Sequence, residues 1–574
     1  MDSFALAAAG RPCHHAAVSL ALLAGVFLAV IALGYRFYGG LVARRYQLDP
    51  GVQTPAVRRS DGRDYVPTRP FYLMGQHFSA IAAAGPIAGP ILACQQFGWL
   101  PCVLWITFGV IFIGAVHDFS ALVASVRHDA RSIAEVVRVH LGRRAWLAIL
   151  GFIWLALIYV IIAFVDLTAG AFTPKPGPPG VENFNAGGAV ALAGTTYLGL
   201  AVLMGFVDRF LRPPLWLQTI IFVPATLGLV WLGTQMSQVL LFPWQAWVIL
   251  ILIYCFVASM VPMWSLLQPR GYLGGFVLYI ALAIGVIGIF FGGFEVKQPA
   301  FTGFDAQPGT AVGYLFPFLF VTIACGACSG FHGLVCSGTT SKQIADETHC
   351  KPIGYGAMLL EGFVAIIALG TIMIASKAEV AGLKPDAVYS LGLGRFLTSI
   401  IGEQHVAFAT TFAAMALSTF IFDTIDVGTR LGRYILQELF RWEGKVAAAV
   451  CTGLTVGVPM VVLLGTGTGS FRTFWTLFGS SNQLLAGLTL LAVTVWLRRT
   501  GRRSWYTLIP TLFVLATTLT ALALQAYDYF HKSDAVSLVN GGVAVVLMLL
   551  ALQLLVGGLR ALRHSALPEA RTVD

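Results

Sequence analysis

Charge is scarce in this chain. Only 11% of its 574 residues are Asp, Glu, Lys or Arg, against 57% hydrophobic, and the mean hydropathy is +0.80, which excludes an ordinary soluble domain. Period-two alternation is missing from the apolar segments, so a membrane β-barrel is excluded as well. No phosphate-cradling GxxxxGK[ST] motif and no long hydrophilic domain occur, which argues against ATP-driven pumping or kinase signalling within the chain. The nine cysteines form no disulfide framework, because most sit in or beside apolar stretches. The net charge of +10 comes without an aromatic-interleaved basic domain, so anionic lipid headgroups explain it and nucleic acid does not.

What is present is a succession of apolar stretches. A helix needs about 20 such residues to cross a hydrocarbon layer about 30 Å thick. Fifteen stretches qualify, centred on 17–38, 76–97, 100–126, 146–170, 190–207, 215–234, 245–264, 272–292, 312–334, 355–376, 405–423, 446–466, 472–496, 505–526 and 536–558. The pattern predicts an all-α polytopic membrane protein forming one integral membrane domain over 1–574, with an N-terminal span and basic loop (1–75) and two halves (76–310 and 311–574).

Lys and Arg concentrate in cytoplasmic loops. With fifteen crossings, Arg44, Arg45, Arg58, Arg59, Arg127, Arg131, Arg138, Arg209, Arg270, Lys342, Lys351, Arg430 and the RRTGRR run at 498–503 fall on one side. Few basic residues fall opposite. The N-terminus is therefore expected outside and the C-terminus inside. The stretch 388–402 would upset this pattern if it crossed, and it reads as an interfacial or re-entrant segment.

The informative positions are those that break the apolar pattern. The second span carries Gly85-Pro86 and Gly89-Pro90 amid small residues, and two such pairs predict an interruption of the helix. Freed backbone groups in hydrocarbon cost several kcal/mol each unless protein, water or a ligand satisfies them, so a broken span points to a buried cavity. The ninth span, with Gly326, Gly330, Gly333 and Gly338 between Cys325, Cys328, Ser329, His332 and Cys336, predicts a second break at 325–338. On a continuous helix, Cys325, Cys328, His332 and Cys336 would share one face. Cys325 and Cys336 would then lie about 16 Å apart, too far to ligate one zinc. A membrane-bound metal or redox protein using Cys325, Cys328 and His332 is the rival reading, and no metal or other cofactor is expected. A solute receptor or a channel is a third.

His332 carries an imidazole into a membrane segment, where a proton-coupling role competes with simple packing. His77 stands near the entrance of the second span. Among buried acids, Glu361 and Asp118 rank above Asp166, because Glu361 has no basic residue within one helical turn. Asp426 is four residues from Arg430, and a local ion pair is the plain explanation of both. Ser480, Ser481, Asn482 and Gln483 bring four hydrogen-bonding side chains into one apolar span, for interhelical bonding or solute contact.

The stretches HFSAIAAAGPIAGP (77–90), GAVHDFSALVASVR (114–127), ACGACSGFHGLVCSGTTSKQ (324–343), GYGAMLLEG (354–362), DVGTRLGRYILQEL (426–439) and GSSNQLLAG (479–487) together resemble the carbon starvation protein A family of peptide and pyruvate transporters. The resemblance implies inner-membrane uptake of pyruvate or short peptides, coupled to protons, in an inverted-repeat fold related to amino acid carriers. It marks Gly85, Pro86, Gly89, Pro90, Cys325, Ser329, Asn482 and Gln483 for the solute, and His77, Asp118, His332, Glu361 and Asp426 for coupling. Lys342 and Arg430 are expected at the inner gate. Cys328 and Cys336 lie outside the matching pattern.

Overall fold

A computed structural model describes residues 19–61, 65–82, 84–178, 180–307, 310–467 and 471–563. The described chain is helical throughout, with only isolated bridges between extended residues. In order, the elements used below are α1 (Leu20–Tyr46), α2 (Pro70–Ile81), α3 (Gly85–Phe97), α4 (Trp99–Arg127), α5 (Ile133–Leu141), α6 (Arg143–Phe172), α7 (Ala186–Phe210), α8 (Leu215–Gln235), α9 (Trp244–Met260) and α10 (Leu267–Phe291). They continue with α11 (Leu315–Thr322), α12 (Gly330–Gly338), α13 (Glu347–Met373), α14 (Pro385–Ile401), α15 (Glu403–Phe440), α16 (Lys445–Thr466), α17 (Phe474–Arg499), α18 (Trp505–Phe530) and α19 (Ala535–Arg563).

A helix, whole or broken, stands at each of the fifteen expected positions. By length and composition alone, 12 described helices are able to cross a membrane, or 13 if the bent pair α2/α3 is one span. The difference has local causes: α9 is apolar but short, and the ninth stretch splits into α11 and α12. The segment 388–402 lies in α14, a 17-residue helix packed against α15, α10, α13 and α3.

The interior is built from aliphatic and aromatic side chains of nearly every helix. α6 shows how the sequence dictates this. Its 30 residues carry no proline and no charge between Arg144 and Asp166, and at 1.5 Å per residue they extend about 45 Å, more than the hydrocarbon thickness. The helices divide into two packed groups. α2, α3, α4, α11, α12, α13 and α17 surround the breaks, while α6 to α10, α15 and α16 pack beside them. The groups meet where α6 touches α17, where α10 touches α2 and along α14.

Both predicted breaks exist, but each lies N-terminal to its expected place. The first falls after Ile81, where Ala82 leaves the helical region (ψ 56°) and α2 and α3 bend by 46°. Gly85 opens α3 with Pro86 beside it, and Pro90 is inside α3, so the Gly-Pro pairs start a helix and do not stop one. Proline in a first turn removes a donor that has no intrahelical partner anyway. The second break is the non-helical run 323–329, and 330–338 is a helix. The continuous face imagined for Cys325, Cys328, His332 and Cys336 is therefore absent, because only the last two share a helix.

Candidate functional site

The two breaks touch one another. A Cβ placed on Gly85 would fall 2.6 Å from Cys325 Cβ, and one on Gly89 only 2.5 Å from the Thr322 carbonyl oxygen. Nothing larger than glycine fits at either point, so the small residues of the first break let α3 lie directly on the second.

The opened backbone at 320–331 is served by α17. Asn482 Oδ1 accepts from the Phe331 N–H at 2.9 Å, capping α12, while its Nδ2 donates to Ser329 Oγ at 3.1 Å and Cys325 Sγ at 3.2 Å. Gln483 Nε2 donates to the Phe320 carbonyl at 3.4 Å, and Trp475 Nε1 to that of Thr322 at 3.4 Å. Thus Asn482 and Gln483 bond between helices in this arrangement, and their polarity in an apolar span has a structural cause.

At the start of α12, behind this junction, lies a buried chain of titratable groups. His117 Nδ1 is 2.7 Å from Asp118 Oδ1, and His332 Nδ1 is 2.8 Å from Asp118 Oδ2. The other ring nitrogen of His332, Nε2, lies 3.1 Å from Glu361 Oε2. All four side chains are at most 1% exposed. Each carboxylate stands on a helix just after a widened turn, Val110–Gly114 in α4 and Lys351–Gly356 in α13, a distortion that recurs at functional sites. Two cavities of about 460 and 430 Å³ lie elsewhere, the first beside 181–184 and 234–239 and the second on apolar surface between α4, α11 and α18. The titratable chain is closed to solvent.

Proton counting shows what this chain of groups is able to hold. Asp118 accepts from both histidines, so His332 Nδ1 carries hydrogen. The space between His332 Nε2 and Glu361 Oε2 then holds a proton on one side or the other. A second proton there would make an imidazolium beside a carboxylic acid and cancel the charge of Asp118. Oε1 of Glu361 is buried with no hydrogen-bond partner, so the contact of Oε2 with His332 is the one that a change of protonation alters.

The remaining expected site residues are more scattered. His77 contacts Thr340 Oγ1 at 2.9 Å through Nδ1, and its Nε2 is 4.0 Å from Cys336 Sγ, at the far end of α12 from His332. Asp166 belongs to a separate group with Trp244 Nε1 at 2.9 Å and Lys384 Nζ at 3.7 Å. Asp426 does not pair with Arg430. Its partner is Arg270 Nη1 at 2.5 Å, while Arg430 donates to the Ala258 and Val261 carbonyls at 2.7 and 2.9 Å. Arg270, expected in a cytoplasmic loop, is 1% exposed within α10 and also pairs with Asp423. Lys342 lies 5.7 Å from the Tyr65 ring centre. No grouping of three or more His, Cys, Asp or Glu suited to a metal ion occurs among the described residues.

Two further participants escape sequence reasoning. His117 adjoins Asp118 and could have been found by that adjacency, whereas Thr340 carries no signal. The chain as a whole matches known proteins. The sequence profile of Carbon starvation protein CstA matches residues 17–389 and 374–521. The chain is 34% identical over 597 residues to the peptide transporter CstA of Escherichia coli K12, covering 90% of this chain and 83% of that protein. It is 32% identical over 597 residues to the pyruvate/proton symporter BtsT of the same organism, covering 87% and 81%. It is 30% identical over 600 residues to the peptide transporter CstA of Bacillus subtilis 168, covering 93% and 95%. The chain belongs to the carbon starvation protein CstA family.

Proposed function

We propose that this protein is a secondary carrier that takes up a small carboxylate-bearing solute, pyruvate or a short peptide, together with protons across the inner membrane. The observation that carries this reading is His332 held between Asp118 and Glu361 beside the junction of two broken helices. The names of the relatives, peptide transporter and pyruvate/proton symporter, supply the solute classes.

In this reading the solute carboxylate enters at Gly85, Pro86, Gly89, Pro90, Cys325 and Ser329, where half-helix N-termini offer N–H groups and positive dipole ends. Asn482 and Gln483 release the backbone of 320–331 to the solute as the site opens. Proton arrival at Glu361 and His332 offsets the incoming anion, and His77 leads protons along α12 towards the cytoplasm. The halves 76–310 and 311–574 form the inverted repeat that alternates access, with the N-terminus outside and the C-terminus inside. Asp426 and Arg430, in the neighbouring helix group, shape the inner gate with Lys342.

Reconstituted protein tests this through uptake of labelled pyruvate, alanine and dipeptides, with and without an imposed pH gradient. Saturable uptake driven by an acidic exterior is expected for pyruvate or a dipeptide. Uptake that ignores the gradient overturns proton coupling.

A further inference from the structure

A second buried charge centre lies in the other helix group. Arg270 of α10 has a side chain only 2% exposed, and it faces two carboxylates of α15, Asp423 and Asp426. Nη1 is 2.5 Å from Asp426 Oδ2 and 3.3 Å from Tyr254 Oη, and Nη2 is bonded to Asp423 Oδ1. Tyr254 of α9 donates its hydroxyl to Asp426 Oδ2 at 2.6 Å, and Tyr197 of α7 donates to the Arg270 carbonyl at 2.9 Å. Four helices thus converge on one residue, and three of them, α9, α10 and α15, on its guanidinium.

The charges at this contact do not balance. One cation meets two carboxylates, and the further cations on α15 are engaged elsewhere: Arg430 with the Ala258 and Val261 carbonyls, Arg433 with that of Ser259. Cys255 of α9 is buried nearby and uncharged as a thiol. An excess anion in a buried site is costly unless neutralised. Asp426 Oδ1 is buried and has no hydrogen-bond partner, although the other three carboxylate oxygens include two held by Arg270. An ionised carboxylate oxygen in that position forfeits all solvation, whereas a hydroxyl there carries no charge. Asp423 is 20% exposed at its side chain, whereas that of Asp426 is fully buried.

We propose that Arg270, Asp423, Asp426 and Tyr254 form a second proton-binding site, with the proton on Asp426. The site is separate from the His332 centre and does not depend on which solute is carried. Its placement gives it a role in motion. α10 joins this centre to α2, where Tyr279 Oη approaches the Gly75 carbonyl at 3.5 Å. Loss of the proton sets a second carboxylate charge on α15 against Arg270 and tightens the hold of α15 on α10. Deprotonation fixes α10, and protonation, which leaves Asp426 a neutral partner of Arg270, frees α10 to move with α2.

Infrared spectroscopy of the intact protein in lipid at neutral pH reads this proton directly. An aspartic-acid C=O band is expected, shifted by ¹³C-aspartate and unmoved by ¹³C-glutamate, which separates it from any acid at Glu361. Asp426→Asn should abolish the band. Tyr254→Phe, which removes one donor and leaves the carboxyl in place, should shift it, and this variant serves if Asp426→Asn does not fold. An absent aspartic-acid band, or one untouched by both variants, overturns the proposal. So does stabilisation by Na⁺ without such a band, which would make the centre a sodium site.

Discussion

Glu361→Gln isolates the proposed coupling step, because glutamine keeps the shape of the side chain and removes its titration. Glu361 is fully buried and lies 3.1 Å from His332 Nε2. If the proton gained during transport resides between those atoms, the variant binds and moves solute without it. A monoanion carried with one proton crosses electroneutrally, so only the pH difference drives it. One pH unit corresponds to about 1.4 kcal/mol per proton, or about tenfold accumulation at equilibrium. Wild-type proteoliposomes with a one-unit gradient should therefore concentrate labelled pyruvate about tenfold over protein-free liposomes. Glu361→Gln should equilibrate to a ratio near one while still exchanging internal labelled solute for external unlabelled solute. Tenfold accumulation by the variant, however slow, would refute the argument and place the transported proton elsewhere. Loss of exchange would show that Glu361 also serves binding or closure.

Four other outcomes follow from the same geometry. Asp118→Asn removes the charge and leaves one acceptor oxygen for two imidazoles, and breaking a buried ionic arrangement costs about 3–5 kcal/mol, visible as a lower unfolding temperature in detergent and absent uptake. Asn482→Ala leaves the Phe331 N–H and Ser329 unpartnered at the break, a loss of about 1–3 kcal/mol that should appear as weaker solute binding, whereas Thr520→Ala on α18 should change nothing. Gly89→Val drives a side chain into the Thr322 carbonyl and should abolish uptake while the protein still inserts, as membrane-fraction immunoblots would show. At α5, His128 Nδ1 faces the Ala124 carbonyl at 2.6 Å, so its Nε2 is bare and accepts from His140 Nε2 at 2.8 Å. Burial, His128 and Arg499 lower the His140 pKa from 6.5 to about 3, so the unfolded form binds more protons across that window and acidification from 6.5 towards 3 destabilises the contact. Protection factors of 133–141, with the intrinsic slowing of amide exchange in acid divided out, should fall over that range in wild type, and His140→Gln should flatten the response.

The parts of this molecule legible from sequence are those governed by local rules. Lipid forces helices with internally paired backbones, so the fifteen apolar stretches announced helices, and clustered glycine and proline announced two breaks. The exact break points were not legible, because a proline two residues into a helix and one that ends it carry the same letters, and only the packing of α3 on 322–325 decides between them. His332 and Glu361 stood out as polar groups in apolar runs, but that Asp118 joins them is a matter of three helices converging over 243 positions, from 118 to 361.

Arg270 is the instructive case. It lies at the edge of an apolar run, where the bias of basic residues towards the cytoplasm explains it completely, and Asp426 found an equally sufficient partner four residues away in Arg430. Two local explanations thus concealed one nonlocal pair. Local spacing measures only which charges are able to meet along one helix, whereas burial decides which must meet. A guanidinium with its side chain 2% exposed requires carboxylates at contact distance, and Arg430, near the end of α9, is met at Nη2 by carbonyls that its own sequence neighbourhood does not contain. The same reasoning ranks the two ionic centres. At the His332 centre a carboxylate lies against a ring that itself titrates, so a proton is exchanged between partners. At the Arg270 centre the cation never gives up its proton, so any change of charge there must fall on a carboxylate, and of the two only Asp426 is sealed from solvent with an oxygen left over.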